Sequence, residues 1–149
     1  MRTDFYCVSV CRDDGQPTQI AGCGVVVVFT DDQNRVQSRA FSYGLGNSSQ
    51  DLADLQAVRL ALASIKSSFR SDTSVLHTSS DYVIQVMCHQ GGSQENTREI
   101  VEARKWFGFY GNVSVAKEDS NHALMMRARS LAKMGLDTQE RSDSGTECV

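Results

Sequence analysis

Asp54 is the residue of this sequence whose surroundings most suggest chemistry. It lies in Asp51-Leu52-Ala53-Asp54-Leu55-Gln56-Ala57-Val58-Arg59-Leu60-Ala61-Leu62, an amphipathic run with a carboxylate near its start. A carboxylate fixed on a helix can hold a hard divalent ion such as magnesium, which prefers carboxylate and water oxygens. Of the other acids, Asp81 follows Ser79 and Ser80 at a helix start, and Asp4, Asp13 and Asp14 bracket an N-terminal strand, where a rise of about 3.3 Å per residue carries their oxygens far off target. Ser9, Ser79 and Ser80 have no evident His and acid partners, so a serine nucleophile is not expected. Basic residues offer a different chemistry. Arg127, Arg129 and Lys133 lie in a stretch with no acid between Ala123 and Met134, which suits phosphate groups. Arg98, Arg104 and Lys105 alternate with Glu95, Glu99 and Glu102 and read as an ordinary solvated helix.

Apolar side chains give a further set of candidates. Trp106, Phe107, Phe109 and Tyr110 form the densest aromatic cluster, able to stack bases or anchor a partner, or simply to pack at a corner. Met125 and Met126, with Leu124 and Met134, give the last helix an adaptable apolar side that suits a partner groove or the core. His77 ends a strand, where a hydrogen-bonded, half-buried histidine is the simpler reading than a ligand. Cys7, Cys11, Cys23, Cys88 and Cys148 include no Cys-x-x-Cys pair and fall partly in apolar runs, which points to reduced thiols and away from zinc.

The elements that must position these groups are legible in the pattern. A chain of 149 residues with 40% hydrophobic content makes one compact domain with its own core. Its net charge of -3 argues against loose, charge-driven nucleic-acid binding but leaves room for a local basic patch. Met1-Arg2-Thr3-Asp4 leads straight into a strand, so no leader is expected, and Val25 to Phe29 is too short to cross a bilayer. An intracellular protein, cytoplasmic or nuclear and off the membrane, is expected.

Strands are predicted over 5–11, 22–30 and 35–43, separated by the turn residues Asp13-Asp14-Gly15 and Asp31-Asp32-Gln33-Asn34. A helix follows over 50–69, capped by Asn47, Ser48 or Ser49. Next come a strand over 74–78, a short helix over 81–87, a loop at 88–93, a helix over 94–107 and a strand over 113–116. A last helix is capped by Asp119 or Ser120 and ends at Gly135. Residues 1–135 form the domain, and 136–149 read as a flexible polar tail. A strand meander followed by alternating helices and strands makes an α/β domain, a five-stranded mixed sheet covered by helices.

This order resembles that of the ribonuclease H family, and local motifs support the resemblance from Phe5 to Gly135. Phe5-Tyr6-Cys7-Val8-Ser9 resembles the family's first strand, and Ala21-Gly22-Cys23-Gly24 its Ala-Gly-x-Gly. Ala53-Asp54-Leu55-Gln56-Ala57 with Ala61-Leu62 resembles its acidic helix. Thr78-Ser79-Ser80-Asp81-Tyr82-Val83-Ile84 resembles its Thr-Asp-Ser-x-Tyr-Val-Ile, and Ala128 to Gly135 its closing Ala-Asp-x-Leu-Ala-x-x-Gly.

The resemblance implies a two-ion nuclease site, in which ions about 4 Å apart stabilise the attacking and leaving oxygens. It places carboxylates on the first strand, the first long helix, the end of the fourth strand and the last helix. Here those positions read Val8 (with Ser9 next), Asp54, Ser79 and Arg129. One carboxylate and an added guanidinium make no two-ion site. The expectation is a nuclease-inactive member without cofactor, in which Asp54 pairs with Arg129. It would serve as a protein-interaction or adaptor module in an RNA-processing or RNA-silencing complex. Two alternatives stay open: an active ribonuclease H whose magnesium site is rebuilt on Asp54 and Asp81, and a binder that holds RNA or an RNA/DNA hybrid without cutting. The family often carries a mobile histidine before its last helix; Glu118 lies nearest that position and His122 is the nearest imidazole, simplest as a helix cap.

Overall fold

The computed structural model describes residues 1–64, 73–88, 97–110 and 113–145. Three long strands come first: β1 (Arg2–Arg12), β2 (Ile20–Thr30) and β3 (Val36–Gly46). Then follow α1 (Gln50–Ala63), β4 (Thr73–Thr78), α2 (Asp81–Cys88), α3 (Thr97–Tyr110), β5 (Val113–Lys117) and α4 (Ala123–Gly145). The sheet has five strands in the order β3-β2-β1-β4-β5, with β1–β2 and β2–β3 antiparallel and β1–β4 and β4–β5 parallel. This is the mixed α/β sheet that the sequence predicted, element for element.

Alternation along β1 decides what each face does. Phe5 and Cys7 point to one side and join Cys23, Val25 and Val27 under Ala57, Val58, Ala61 and Leu62 of α1. Tyr6 and Val8 point to the other side and join Val26 under Met125 and Ala128 of α4. A smaller cluster of Leu55, Val86, Ile100 and Ala103 ties α1 to α2 and α3. The run Ala21 to Val27 is buried throughout because both faces of β2 are covered. Cys7, Cys11, Cys23 and Cys88 are free thiols. Burial pushes the Cys7 thiol well up and that of Cys23 up to about 12, so both behave as small hydrophobes. No helix among the described residues is long and apolar enough to cross a membrane.

The last helix corrects the sequence reading. Gly135 does not end it; the helix runs on to Gly145, through residues expected to form a tail. Gly135 is instead a contact glycine, since a Cβ there would overlap the backbone of Tyr43. Gly24 plays the matching part on the sheet, where a Cβ would overlap the carbonyl of Ala128. One turn past Gly135, Gln139 docks where the β2–β3 register slips between Ala21 and Gly22. Its amide donates to the Ala21 carbonyl at 2.7 Å, and its oxygen accepts from the Gly46 amide. This anchor holds the extra turns against the sheet. Two caps are also settled: Ser49 accepts from the Leu52 amide at 3.2 Å, and His122, not Asp119 or Ser120, accepts from the Leu124 amide at 3.1 Å. The predicted extension of the first helix to Phe69 and the loop at 88–93 fall largely outside the described residues.

Candidate functional site

β4 ends at Thr78 opposite Cys7 of the parallel strand β1, and the helices that flank them converge there. Between them lies a cavity of about 240 Å³ lined by Val8, Ser9, Asp54, Ser79, Ser80 and Arg129, with Gln50 and Thr78 at its margin. The positions that sequence reading singled out, Val8, Asp54, Ser79 and Arg129, thus meet at one place.

Their chemistry is not that of an ion pair. Ser9 Oγ donates to Asp54 Oδ1. Gln50, one turn earlier on α1, donates from Nε2 to the same oxygen at 2.9 Å and to Ser9 Oγ at 2.8 Å. Ser80 adds a third side-chain hydrogen bond. Burial pushes the Asp54 carboxyl up from its usual range; the bonds from Ser9, Ser80 and Gln50 pull against that, and the charge of Asp51 adds to the rise. The expected Asp54–Arg129 bridge is absent from the ion pairs of the described residues, because hydroxyls and an amide already occupy the carboxylate.

Ser9 is the residue that meets Asp54, one position after Val8. Strand alternation explains the correction. Ser9 shares its side of β1 with Phe5 and Cys7, which face α1, whereas Val8 packs under α4. Gln50 was not singled out from the sequence, although its place four residues before Asp54 on one helix face was a usable signal.

Asp81, the other acid of the rebuilt-site alternative, does not line the cavity. It is exposed and pairs with Lys117 Nζ at 2.6 Å. Asp4 sits elsewhere, and Asp13 accepts from Thr18 at 3.1 Å. Among the described residues, no group of three or more His, Cys, Asp or Glu is placed to hold a metal ion. One carboxylate already satisfied by three donors, facing neutral hydroxyls and a guanidinium, does not fit a pair of magnesium ions.

The remaining candidates separate. Arg127, Arg129 and Lys133 are all exposed, but they do not share one face. At 3.6 residues per turn, Arg127 lies roughly 200° around α4 from Arg129, while Lys133 stands one turn beyond Arg129 on nearly the same side. Met125 is a core residue, 1% exposed, so it is no partner contact, whereas Met126 is 55% exposed. Trp106 and Phe107 are partly buried against the α1 core. The side chains of Phe109 and Tyr110 lie outside the described residues. On α3, Arg98 pairs with Glu102 at 3.7 Å at the surface, whereas Arg104, expected on a solvated face, is part-buried and donates to the Val86 carbonyl of α2 at 2.9 Å.

A second polar cluster lies on the α4 face of the sheet. His77 presents Nε2 to Asp4 at 2.7 Å and Nδ1 to Glu118 at 3.1 Å, and Asp4 also accepts from Arg2. Tyr6 stacks between His77 and His122, with ring centroids 4.2 and 5.3 Å away. His77 is only 8% exposed and fully bonded, as its place at the end of a strand predicted.

The chain matches no protein-family model and no curated protein. Solved structures do match it. The RNase H1 of the halophilic archaeon Halobacterium salinarum NRC-1 is 20% identical, with 93% of this chain and 99% of that one aligned at a TM-score of 0.73. The N-terminal RNase H domain of rv2228c from Mycobacterium tuberculosis is 16% identical over 95% and 98% of the two chains, TM-score 0.77. The fold is that of ribonuclease H. LC11-RNase H1, solved in complex with an RNA/DNA hybrid, is 16% identical over 92% and 98% of the chains, TM-score 0.73. In this chain the ribonuclease H sheet brings Ser9, Asp54, Ser79 and Arg129 to one cavity.

Proposed function

We propose that this chain is a nuclease-inactive ribonuclease H-like domain that acts by binding, as an adaptor or interaction module of an RNA-processing or RNA-silencing complex. One observation carries the reading: Asp54 is the sole carboxylate of its cavity, and Ser9, Gln50 and Ser80 already satisfy it. Two-ion hydrolysis needs several carboxylates converging on one point, and Arg129 places a fixed positive charge where an ion would have to sit. The fold does not depend on acids at this site, because its cores are apolar side chains packed on either side of the sheet.

The test is incubation of the pure chain with an RNA/DNA hybrid, first with magnesium and then with manganese. No cleavage is expected in either. Cleavage that disappears in Asp54→Ala would overturn the reading.

A second reading, a domain that holds a nucleic-acid strand without cutting it, is favoured by the position of Arg129. It faces the cavity with no carboxylate bound to it among the described residues, and Lys133 stands beside it. A solved structure of the same fold, LC11-RNase H1, holds an RNA/DNA hybrid. A protein partner would be met through separate small apolar contacts. The exposed apolar residues Val36, Val101, Met126 and Met134 are divided among β3, α3 and α4, and Met125 is core.

A further inference from the structure

The hydrogen bonds of the cavity divide its wall into two parts. On the α1 side, Ser9, Gln50, Asp54 and Ser80 satisfy one another, and Ser80 also accepts from the Val83 amide at 3.2 Å. Thr78 Oγ1 accepts from the Ser80 amide at 3.1 Å. On the open side, the Ser79 hydroxyl and the Arg129 guanidinium line the cavity and have no partner among the described residues. A hydroxyl and a planar fork of N–H donors around one small cavity are the parts that hold a phosphate oxygen pair. Three donors hold Asp54 on the α1 side, and the open side is left to Ser79 and the positive charge of Arg129.

We infer that this cavity is a metal-independent phosphate site for a nucleic-acid strand, in which Arg129 and Ser79 grip one phosphate and Lys133 the next. Arg129 and Lys133 are four residues apart on α4, so their stems rise about 5–6 Å apart on one side of the helix. Two adjacent cations suit a ligand with repeated negative charge better than a lone phosphate. The guanidinium supplies the positive charge that bound ions would otherwise bring to the strand, so grip is retained and hydrolysis is not. The inference rests on the non-cleaving reading and adds a ligand and a mode of contact to it.

The experiment uses the full chain, a fluorescein-labelled single-stranded RNA, anisotropy as readout and EDTA throughout. Binding at low salt that falls steeply as salt rises is expected. Arg129→Gln should weaken it at least tenfold and reduce the magnitude of the salt slope by about 0.7, the signature of one lost phosphate contact on a single strand. Lys133→Gln should behave alike, Ser79→Ala should cost several-fold, and Arg98→Gln, on α3, should change nothing. These are exposed positions, and unchanged urea unfolding confirms that each variant is folded. No binding in EDTA, binding that requires magnesium, or binding indifferent to Arg129→Gln would overturn the phosphate site while leaving the nuclease-inactive reading intact. Cleavage of a hybrid with magnesium or manganese would instead overturn that reading. A second arm titrates inorganic phosphate and follows the backbone amides by NMR. Shifts at Ser79 and Arg129 support the site, and such shifts in a chain that binds no RNA would overturn the strand assignment.

Discussion

Replacing His77 with alanine should destabilise the domain by about 3–4 kcal/mol, the lower part of the range for breaking one side of a buried pair. The structure sets the figure. The ring nitrogens face two carboxylates, Asp4 at 2.7 Å and Glu118 at 3.1 Å; a neutral ring donates to one of them, a bond to a charged group typically worth about 1.5–3 kcal/mol. Asp4 is 8% exposed and cannot turn to water, but it keeps its bonds from Arg2, which limits the loss. Glu118 is half-buried and can rehydrate in part. The Tyr6 ring loses one stacking face, about 0.5–1.5 kcal/mol. With a urea slope of about 2 kcal/mol per molar, the unfolding midpoint should fall by about 1.5–2 M. Urea unfolding followed by far-ultraviolet circular dichroism measures it. A double-mutant cycle with Asp4→Asn should return a coupling above about 1 kcal/mol, since the two side chains touch. The pH dependence has a definite sign. Burial acts to raise the Asp4 carboxyl, but the hydrogen bonds and charges of Arg2 and His77 outweigh it and the net shift is downward. Its contribution is therefore complete above the ordinary carboxylate range and lost as pH falls through the lowered folded value. The deficit of His77→Ala should narrow as pH falls through that lowered value. A cost below about 1 kcal/mol at neutral pH, or strict additivity in the cycle, would refute the clamp.

Gly24→Val should cost about 1–3 kcal/mol in urea unfolding, because its side chain would drive into the Ala128 carbonyl and force α4 off β2. Gln139→Ala should cost about 1–3 kcal/mol and speed hydrogen exchange at the Gly46 amide, since it strips the partners from that amide and from the Ala21 carbonyl. Asp54→Asn should flatten the acid part of the stability–pH profile. Burial raises the Asp54 carboxyl, so the folded state holds its proton more tightly than the unfolded state, and wild type gains stability as pH falls from the raised folded value to the unfolded one. Superimposable profiles of the variant and wild type from urea titrations across that range would contradict this.

Most of the architecture was legible because burial imprints period and composition. Val25 to Phe29 could only be a central strand, and Leu55, Val58 and Leu62 could only be the inner face of a helix. The missed features have local causes. Gly135 carries the usual mark of a helix end, yet here its missing side chain admits the backbone of Tyr43, which is a tertiary reason the sequence does not display. The turns beyond it look featureless because a single glutamine, Gln139, docks them through hydrogen bonds and leaves no apolar stripe to read. Met125 and Met126 are adjacent and chemically identical, but the 100° step of the helix buries one and exposes the other. The Asp54–Arg129 bridge was expected from charge alone, and the hydroxyls that displace it belong to residues too common to stand out.

The one-residue difference between Val8 and Ser9 bears on how far the site stands from a metal centre. Had the strand position facing Asp54 been an apolar side chain, the carboxylate would be left short of donors, and a captured cation would be a natural remedy. Because it is Ser9, the carboxylate receives a hydroxyl, and Gln50 locks both into one network. An arriving cation would have to break bonds that already satisfy Asp54, in the presence of a guanidinium that repels it. Returning one acid at Ser9 would remove a donor and set a second negative charge against a half-buried first, so a lone substitution moves the site away from stability before it approaches ion binding. These residues therefore act as a set: Ser9 and Gln50 occupy the carboxylate, while Ser79 and Arg129 keep the mouth of the cavity suited to anions.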